Sequence, residues 1–208
     1  MADIFDEVED DLKRDRMQLL WSKYGKYVIV AAVLVIAGVA GRQGYEYWNE
    51  SRKVSSASAY NLALKEEDLV SALSEKITGF NQGYAMLAEF RTAAEYAKRK
   101  DLGASEAAYL ALYANPKISR LYQEAALLMS VMNAPTSRSV SELEDRLLRL
   151  EGAAGPWQAM AIEQAAGLAL RSGDRATALL KYESLAGMDS IPVGMRQRAR
   201  QMIQILKQ

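Results

Sequence analysis

The side chains best suited to chemistry in this sequence are two groups of carboxylates, at residues 66–68 and 142–145. Paired carboxylates can act as general acid and base, as they do in glycoside hydrolysis. Both groups coincide with the starts of predicted helices, where the positive end of the helix dipole favours negative charge. We therefore expect solvated first turns of helices at both places rather than a catalytic pair.

The usual catalytic and metal-binding side chains are missing from the 208 residues. The chain has no histidine, which is the commonest general acid–base group and metal ligand, and it has no cysteine. Disulfides, thiolate nucleophiles and cysteine metal sites are therefore excluded. No glycine-rich phosphate-binding loop precedes a predicted helix. The sequence predicts a protein that is not an enzyme, with no cofactor and no metal.

The charge balance argues against nucleic acid as a partner. The chain carries 26 basic and 26 acidic residues, and from Arg42 onward 21 basic and 19 acidic ones. Nucleic-acid-binding domains normally carry a clear basic excess. The arginines of the last predicted helix, Arg196, Arg198 and Arg200, are therefore interpreted as part of a solvated face.

Residues 27–41 form an uninterrupted apolar run, YVIVAAVLVIAGVAG. At about 1.5 Å per residue the run is roughly 22 Å long, shorter than a bilayer core of about 30 Å. Lys26 and Arg42 can extend their stems towards the two interfaces. Aromatic residues also flank both ends, as interfacial belts do: Trp21, Tyr24, Tyr27, Tyr45, Tyr47 and Trp48. This pattern predicts a transmembrane helix over residues 26–44.

Two other interpretations of the run stay open at this point. One is a buried core helix, although such helices rarely have aromatic belts at both ends. The other is a cleavable signal peptide, because residues 38–40 are small enough for a cleavage site. The preceding 26 residues contain seven acidic ones, which is atypical of a signal peptide.

The distribution of lysine and arginine predicts the orientation. Five basic residues precede the run closely and three follow it: Lys13, Arg14, Arg16, Lys23 and Lys26, then Arg42, Arg52 and Lys53. The bias favours a cytoplasmic acidic tail at residues 1–25 and, in a bacterium, a single-pass inner-membrane protein with a periplasmic C-terminal domain. The small residues Ala37, Gly41, Ala40 and Gly44 are candidates for close packing with another transmembrane helix.

Beyond the run, the sequence is helical throughout. Juxtamembrane helices are expected over residues 45–78, and a tetratricopeptide-like domain over 79–208. Turn signals separate seven predicted helices: residues 84–99, 104–114, 118–132, 139–151, 156–171, 174–186 and 193–206. The predicted fold class is therefore all-α: a single N-terminal transmembrane helix followed by a tetratricopeptide-like α-solenoid of about three helix pairs.

The repeat is clearest over residues 159–192. Ala166, Gly173, Ala178 and Tyr182 have the spacing of a tetratricopeptide repeat, in which small residues lie where two helices touch and the aromatic residue fills the space between pairs. A weaker copy lies about 73 residues earlier, with Ser105 in place of the small alanine and Lys100 in place of the turn glycine. The middle pair fits only with an insertion around residues 134–139. A generic helical bundle is the alternative.

These registers predict a partner-binding groove on the first helix of each pair. Phe90 and Lys98 would face it in one repeat, and Met160, Glu163 and Arg171 in another. A core role for Phe90 or Met160 stays open, because the register shifts easily by one residue.

Several segments carry a family resemblance. They are YWN at residues 47–49, SASAYNLA at 56–63, DIFDEV at 3–8, LKRD at 12–15, and LRSGD at 170–174 with Ala178. Together they resemble a bacterial family of tetratricopeptide-like, single-pass inner-membrane proteins described as ancillary subunits of the Sec translocon, and in particular its alphaproteobacterial members. The resemblance implies partners: the Sec translocon, a periplasmic folding factor or chaperone, and exported polypeptides.

The functional hypothesis is accordingly a membrane-anchored protein-binding module that assists exported proteins at the translocon. The alternative is a tetratricopeptide scaffold that organises a cell-envelope complex for division or wall synthesis. The sequence does not distinguish a groove for peptides from one for a folded partner.

Overall fold

The computed structural model describes residues 3–152 and 154–208, and it describes the side chains from Arg14 onward except those of Asp15 and residue 153. Most side chains of the predicted acidic tail, residues 1–25, therefore lie outside the described residues. Within the described part all regular structure is helical. The α-helices are α1 Asp3–Ala63, α2 Leu69–Lys76, α3 Gln82–Lys98, α4 Leu102–Ala114, α5 Arg120–Met132, α6 Val140–Glu151, α7 Gln158–Arg171, α8 Arg175–Gly187 and α9 Val193–Leu206. A short 3-10 helix, Ile77–Gly79, follows α2.

The chain divides into two compact units, one up to Ser55 and one from Ser56 to Gln208. The first unit consists of the greater part of α1. Its aliphatic side chains are mostly exposed, and Leu34 and Ile36 are 66% and 67% accessible. Within the described residues α1 is long and apolar enough to cross a bilayer. This helix is compatible with the predicted single-pass membrane anchor.

The second unit is built from helices that pack mainly on their neighbours in sequence. The seven helices from α3 to α9 each begin and end within two residues of the predicted bounds, so that prediction is confirmed. Four apolar clusters follow one another along the unit, and each joins consecutive helices. Such nearest-neighbour packing is the organisation of a repeat protein, in which each helix pair buries its apolar face against the next.

Small buried residues allow the two helices of a pair to approach closely. Ala93 of α3 and Ser105 of α4 are both fully buried, and the Ser105 hydroxyl donates a 2.8 Å hydrogen bond to the Ala93 carbonyl. In the last pair Ala166 of α7 and Ala178 of α8 are also fully buried. The serine therefore fits the alanine position because its only polar atom is bonded across the contact.

The predicted aromatic residues lie between successive pairs. Tyr109 of α4 is buried in a cluster that includes Ala126 of α5. Tyr182 of α8 is buried with Met195 and Ala199 of α9. Each ring thus joins the second helix of one pair to the helix that follows it, as the repeat predicts.

The turns inside two pairs have the same construction, 73 residues apart. Lys100 has φ of 64° and Gly173 has φ of 84°, so both occupy the left-handed region. The next residue caps the following helix in each case: the Asp101 carboxylate accepts from the amide of Ala104, and the Asp174 carboxylate from that of Thr177. The hydrogen bond from Thr177 lowers the pKa of Asp174. A left-handed residue followed by a capping aspartate therefore forms both tight turns.

The insertion predicted near residues 134–139 is held by ion pairs between one buried glutamate and two arginines. Glu106 of α4 is only 1% exposed. It accepts hydrogen bonds of 2.6 Å from Arg138, in the segment before α6, and of 2.6 Å from Arg146 of α6. Burial opposes ionisation of Glu106, but the two guanidinium groups outweigh it and lower the pKa of this carboxyl. An ionised Glu106 therefore fixes α6 against α4 across the enlarged connection.

The two turns make opposite predictions for substitution. We expect Lys100→Gly to stabilise the chain by about 0.5–1 kcal/mol, since glycine adopts a positive φ without steric cost. We expect Gly173→Ala to destabilise it by about 1 kcal/mol, and for conformational reasons alone, because a Cβ at Gly173 would meet no atom within 4 Å. Urea unfolding monitored by far-UV circular dichroism measures both. Equal effects of the two substitutions would contradict the shared turn geometry.

Glu106→Gln is expected to destabilise the chain by about 3 kcal/mol near neutral pH, since two arginines lose their buried carboxylate. The folded-state pKa lies below the ordinary value of 4.5, so the contribution is present above that pH and disappears as the pH falls below it. Glu142→Gln is the matched control. It removes an exposed carboxylate 3.3 Å from the same Arg138 and should cost under about 1 kcal/mol. Similar losses for both variants would refute the role of the buried pair.

Candidate protein-binding cleft

The predicted groove residues of the first repeat differ in their surroundings. Phe90 is half-buried and its ring lies 6.0 Å from that of Tyr109, so it contributes to the packing of α3 on α4. Lys98 is exposed, and its ammonium group lies 3.5 Å from the Glu95 carboxylate. The structure therefore places Phe90 largely within the pair and leaves Lys98 at the surface.

The predicted groove residues of the last repeat are also divided. Met160 packs against two apolar clusters, one shared with α5 and α6 and the other with α8 and α9. Glu163 accepts hydrogen bonds of 2.9 and 3.0 Å from Arg198 of α9. Arg171 is exposed at the end of α7. Among these three, Met160 and Glu163 join neighbouring helices, and a shared groove for all five residues remains a prediction.

The small transmembrane positions Ala37, Ala40, Gly41 and Gly44 are all exposed. A Cβ added at Gly41 or Gly44 would meet no atom within 4 Å. A hollow of about 1190 Å³ lies nearer the start of α1, beside Trp21 and Tyr24, and its described lining residues all belong to this one helix. It is therefore an open apolar surface at the predicted membrane interface, and not an enclosed site.

A cleft of about 550 Å³ opens at the start of the second unit, between α2, α3 and α4. Its floor includes Leu73 and Leu112, which are each 1% exposed. Ile77, Ala108, Ala111 and Pro116 continue the apolar lining. The volume lies within the range of about 300–1,000 Å³ that is usual for ligand-binding pockets. Polar groups enter the lining at Ser74, Glu89, Thr92 and Asn115.

A second cleft of about 330 Å³ adjoins the first one. Glu89 and Asn115 line both, so the two clefts meet at these side chains. The second cleft is otherwise lined by α3 and the connection to α5, through Gln82, Ala85, Met86, Lys117 and Ile118. The Gln82 amide donates to the Lys117 carbonyl and ties the connection to the start of α3. We call the two together the Glu89 cleft.

Glu89 differs from every other shielded carboxylate in the described residues. Six glutamates there are buried or half-buried. Five of them lie within 3.5 Å of a lysine or arginine nitrogen: Glu95, Glu106, Glu124, Glu151 and Glu163. Within the part of the chain that the structure describes, Glu89 has no lysine or arginine partner of this kind and no side-chain hydrogen bond. Burial accordingly raises its pKa above the ordinary value.

This cleft could not be predicted from the sequence. Its lining comes from α2, α3, α4 and the following connection, which are separated in sequence by up to about 45 residues. The only local signal was the position of Glu89 on α3. At about 100° per residue it lies 180° around the helix from Lys98 and 100° from Phe90, so it faces away from the predicted groove.

Glu89→Gln is expected to stabilise the chain at pH 7, because it removes an unpaired charge from a half-buried position. A raised folded-state pKa means that wild-type Glu89 contributes stability at low pH, which is lost as the pH rises through that pKa. The variant should therefore melt at a higher temperature than wild type at pH 7 and at the same temperature below about pH 4. Glu144→Gln, an exposed residue of α6, is the control and should change stability by under about 0.5 kcal/mol. A lower melting temperature for Glu89→Gln at pH 7 would mean that Glu89 has a stabilising partner.

Comparison with known proteins agrees with this architecture. The family model for the tetratricopeptide repeat-like domain matches residues 19–190, which covers the apolar run of α1 and the helices from α2 to α8. No curated protein and no solved structure shows a significant similarity to the chain. Domains of this kind are typically non-catalytic modules for protein–protein interaction. Since the match extends over most of the sequence, the chain belongs to the tetratricopeptide repeat-like domain family.

Proposed function

We propose that this protein is a single-pass inner-membrane protein whose periplasmic tetratricopeptide-like domain binds polypeptides at the Sec translocon. There it would cooperate with a periplasmic folding factor or chaperone and assist exported proteins. The observation that carries the proposal is the match of one family to residues 19–190, in which an apolar helix precedes a protein-interaction domain. Anchoring such a module in the membrane concentrates it where secreted chains emerge.

The membrane anchor is supported by exposure as well as by composition. Val33, Leu34, Val35 and Ile36 are each 57–67% accessible, which would be unfavourable for a run of residues in water. Aromatic side chains lie at both ends of the run, and Lys26 stacks on the Tyr27 ring at 5.1 Å. The basic residues before the run support the proposed orientation, with the N-terminus in the cytoplasm.

The chemistry of the domain favours binding. Within the described residues no group of three or more acidic side chains is placed to hold a metal ion. Five of the six shielded glutamates are used in ion pairs, three of them between helices, and the Glu89 cleft is mainly apolar. The proposed link to the translocon and to a folding factor comes from the sequence resemblance at residues 3–15, 47–63 and 170–178.

The proposal is tested by brief crosslinking in cells, followed by purification of the full-length protein from native membranes in mild detergent and mass spectrometry of its partners. We expect recovery of the translocon core. We also expect recovery to fall several-fold when Gly41 and Gly44 are both replaced by isoleucine, since large side chains there block close approach of another helix. A Cβ added at either glycine has no atom within 4 Å, so the first atom of the new side chain meets no other side chain of this protein.

Val39→Ile is the matched control for this experiment. It adds bulk to the same helix about 200° away from Gly41 and should leave recovery unchanged. Replacement of residues 1–44 by an unrelated membrane anchor should abolish it. Recovery of division or wall-synthesis proteins without any translocon component would overturn the proposal in favour of an envelope scaffold.

A further inference from the structure

The Glu89 cleft combines an apolar surface with one unneutralised carboxylate. Leu73, Ile77 and Leu112 supply the apolar surface, and Glu89 lies where the two parts of the cleft meet. Elsewhere in the described residues each shielded glutamate has its own arginine or lysine. Glu89 thus lacks the ion-pair partner that the other shielded glutamates of the described residues have.

We propose that the Glu89 cleft binds an extended polypeptide segment in which a lysine or arginine, flanked by apolar residues, pairs with Glu89. This inference rests on the proposed function, since it takes the bound partner to be a polypeptide, and it names the chemistry that selects the segment. The apolar stem of a long basic side chain can lie along the leucine floor while its charged end reaches the carboxylate.

Polar groups around Glu89 suit the backbone of such a segment. Ser74, Thr92 and Asn115 line the larger part of the cleft, and Gln82 lines the smaller part. The hydroxyl groups of Ser74 and Thr92 can donate to, and accept from, an extended main chain. The side-chain amides of Asn115 and Gln82 each make one hydrogen bond to the Lys117 backbone and keep further donors and acceptors for a peptide. Thr92 and Asn115 are half-buried, and Ser74 is exposed at the rim. The carboxylate accordingly supplies selection by charge, and the surrounding groups supply contacts that do not depend on the sequence of the segment.

Charge complementarity excludes the opposite class of peptide. An acidic segment would bring a second carboxylate towards a half-buried Glu89, and like charges at short range in a poorly solvated site repel strongly. Lys117 also lines the smaller part of the cleft, but it is exposed there, so solvent screens it more than Glu89. We therefore expect selection for one basic residue rather than for a run of them.

Glu89 and Thr92 lie away from the face of α3 that carries Phe90 and Lys98. Glu89 is about 180° around the helix from Lys98, and helices α2 and α4 form the walls of the cleft. A partner on the predicted groove and a basic segment in the Glu89 cleft would therefore contact different sides of α3. The two sites can be tested separately by substitutions on this one helix.

The test is selection from a random peptide display library on the full-length protein reconstituted in lipid nanodiscs. Wild type should enrich peptides with one lysine or arginine between apolar residues. Glu89→Lys should enrich aspartate or glutamate at the same position instead. Glu89→Gln should lose the preference, and synthetic peptides chosen on wild type should bind it at least about tenfold more weakly. Glu144→Gln should select as wild type does.

Folding of the variants is checked by their melting temperatures, and Glu89→Gln should be at least as stable as wild type at pH 7. No enrichment of basic residues by wild type would overturn the inference, as would enrichment that Glu89→Gln and Glu89→Lys leave unchanged. Crosslinking of Glu89→Gln in cells separates the two proposals. If wild type recovers the translocon in cells but selects no basic peptides, the proposal for the cleft alone is refuted. If wild type does not recover the translocon, the proposed function is refuted.

Discussion

Close approach of the two helices within a pair, at small buried side chains, determines where the other elements of the tetratricopeptide-like domain lie. In the first pair the contact is made by Ala93 and Ser105, which also share a hydrogen bond. The ring of Tyr109, one turn later, contacts Phe90 of α3 and also lies in the apolar cluster that includes Ala126 of α5. The same relation holds between Ala178 and Tyr182 in the last pair. A larger side chain at the contact would displace every later helix.

The helix bounds of this domain could be predicted because their causes are local. Turn residues, capping aspartates and alanines at fixed spacing all act within one or two turns of helix. The repeat register placed Lys100 at a left-handed position that favours glycine, and the backbone has φ of 64° there. The registers also gave Tyr109 and Tyr182 their positions between pairs. The groove residues were harder to predict, because the spacing of Phe90 and Met160 is compatible both with a position in the groove and with packing between helices.

Interactions between distant residues could not be predicted from the sequence. Glu106 bonds Arg138 and Arg146, which are 32 and 40 residues away, and nothing local to Glu106 distinguishes it from a solvated glutamate. Glu89 illustrates the opposite case, since its significance lies in the partner that it lacks. A carboxylate pattern read along the chain emphasised residues 66–68 and 142–145. Among the side chains that the structure describes, Glu106 is the most buried carboxylate and Glu89 is the shielded carboxylate without an ion-pair partner, and both lie outside those two groups.

Because the helices pack mainly on their neighbours, the free energy of local opening differs along the domain. Helix α9 contributes Met195 and Ala199 to the terminal apolar cluster, and its main contacts are with α8. Detaching it disrupts one cluster and leaves the other three in place, so it costs less free energy than global unfolding. Amide hydrogens of α9 should consequently exchange with solvent through local opening, while those of α3 and α4 exchange through larger openings. The part of the domain that carries the Glu89 cleft is thereby insulated from local opening of α9.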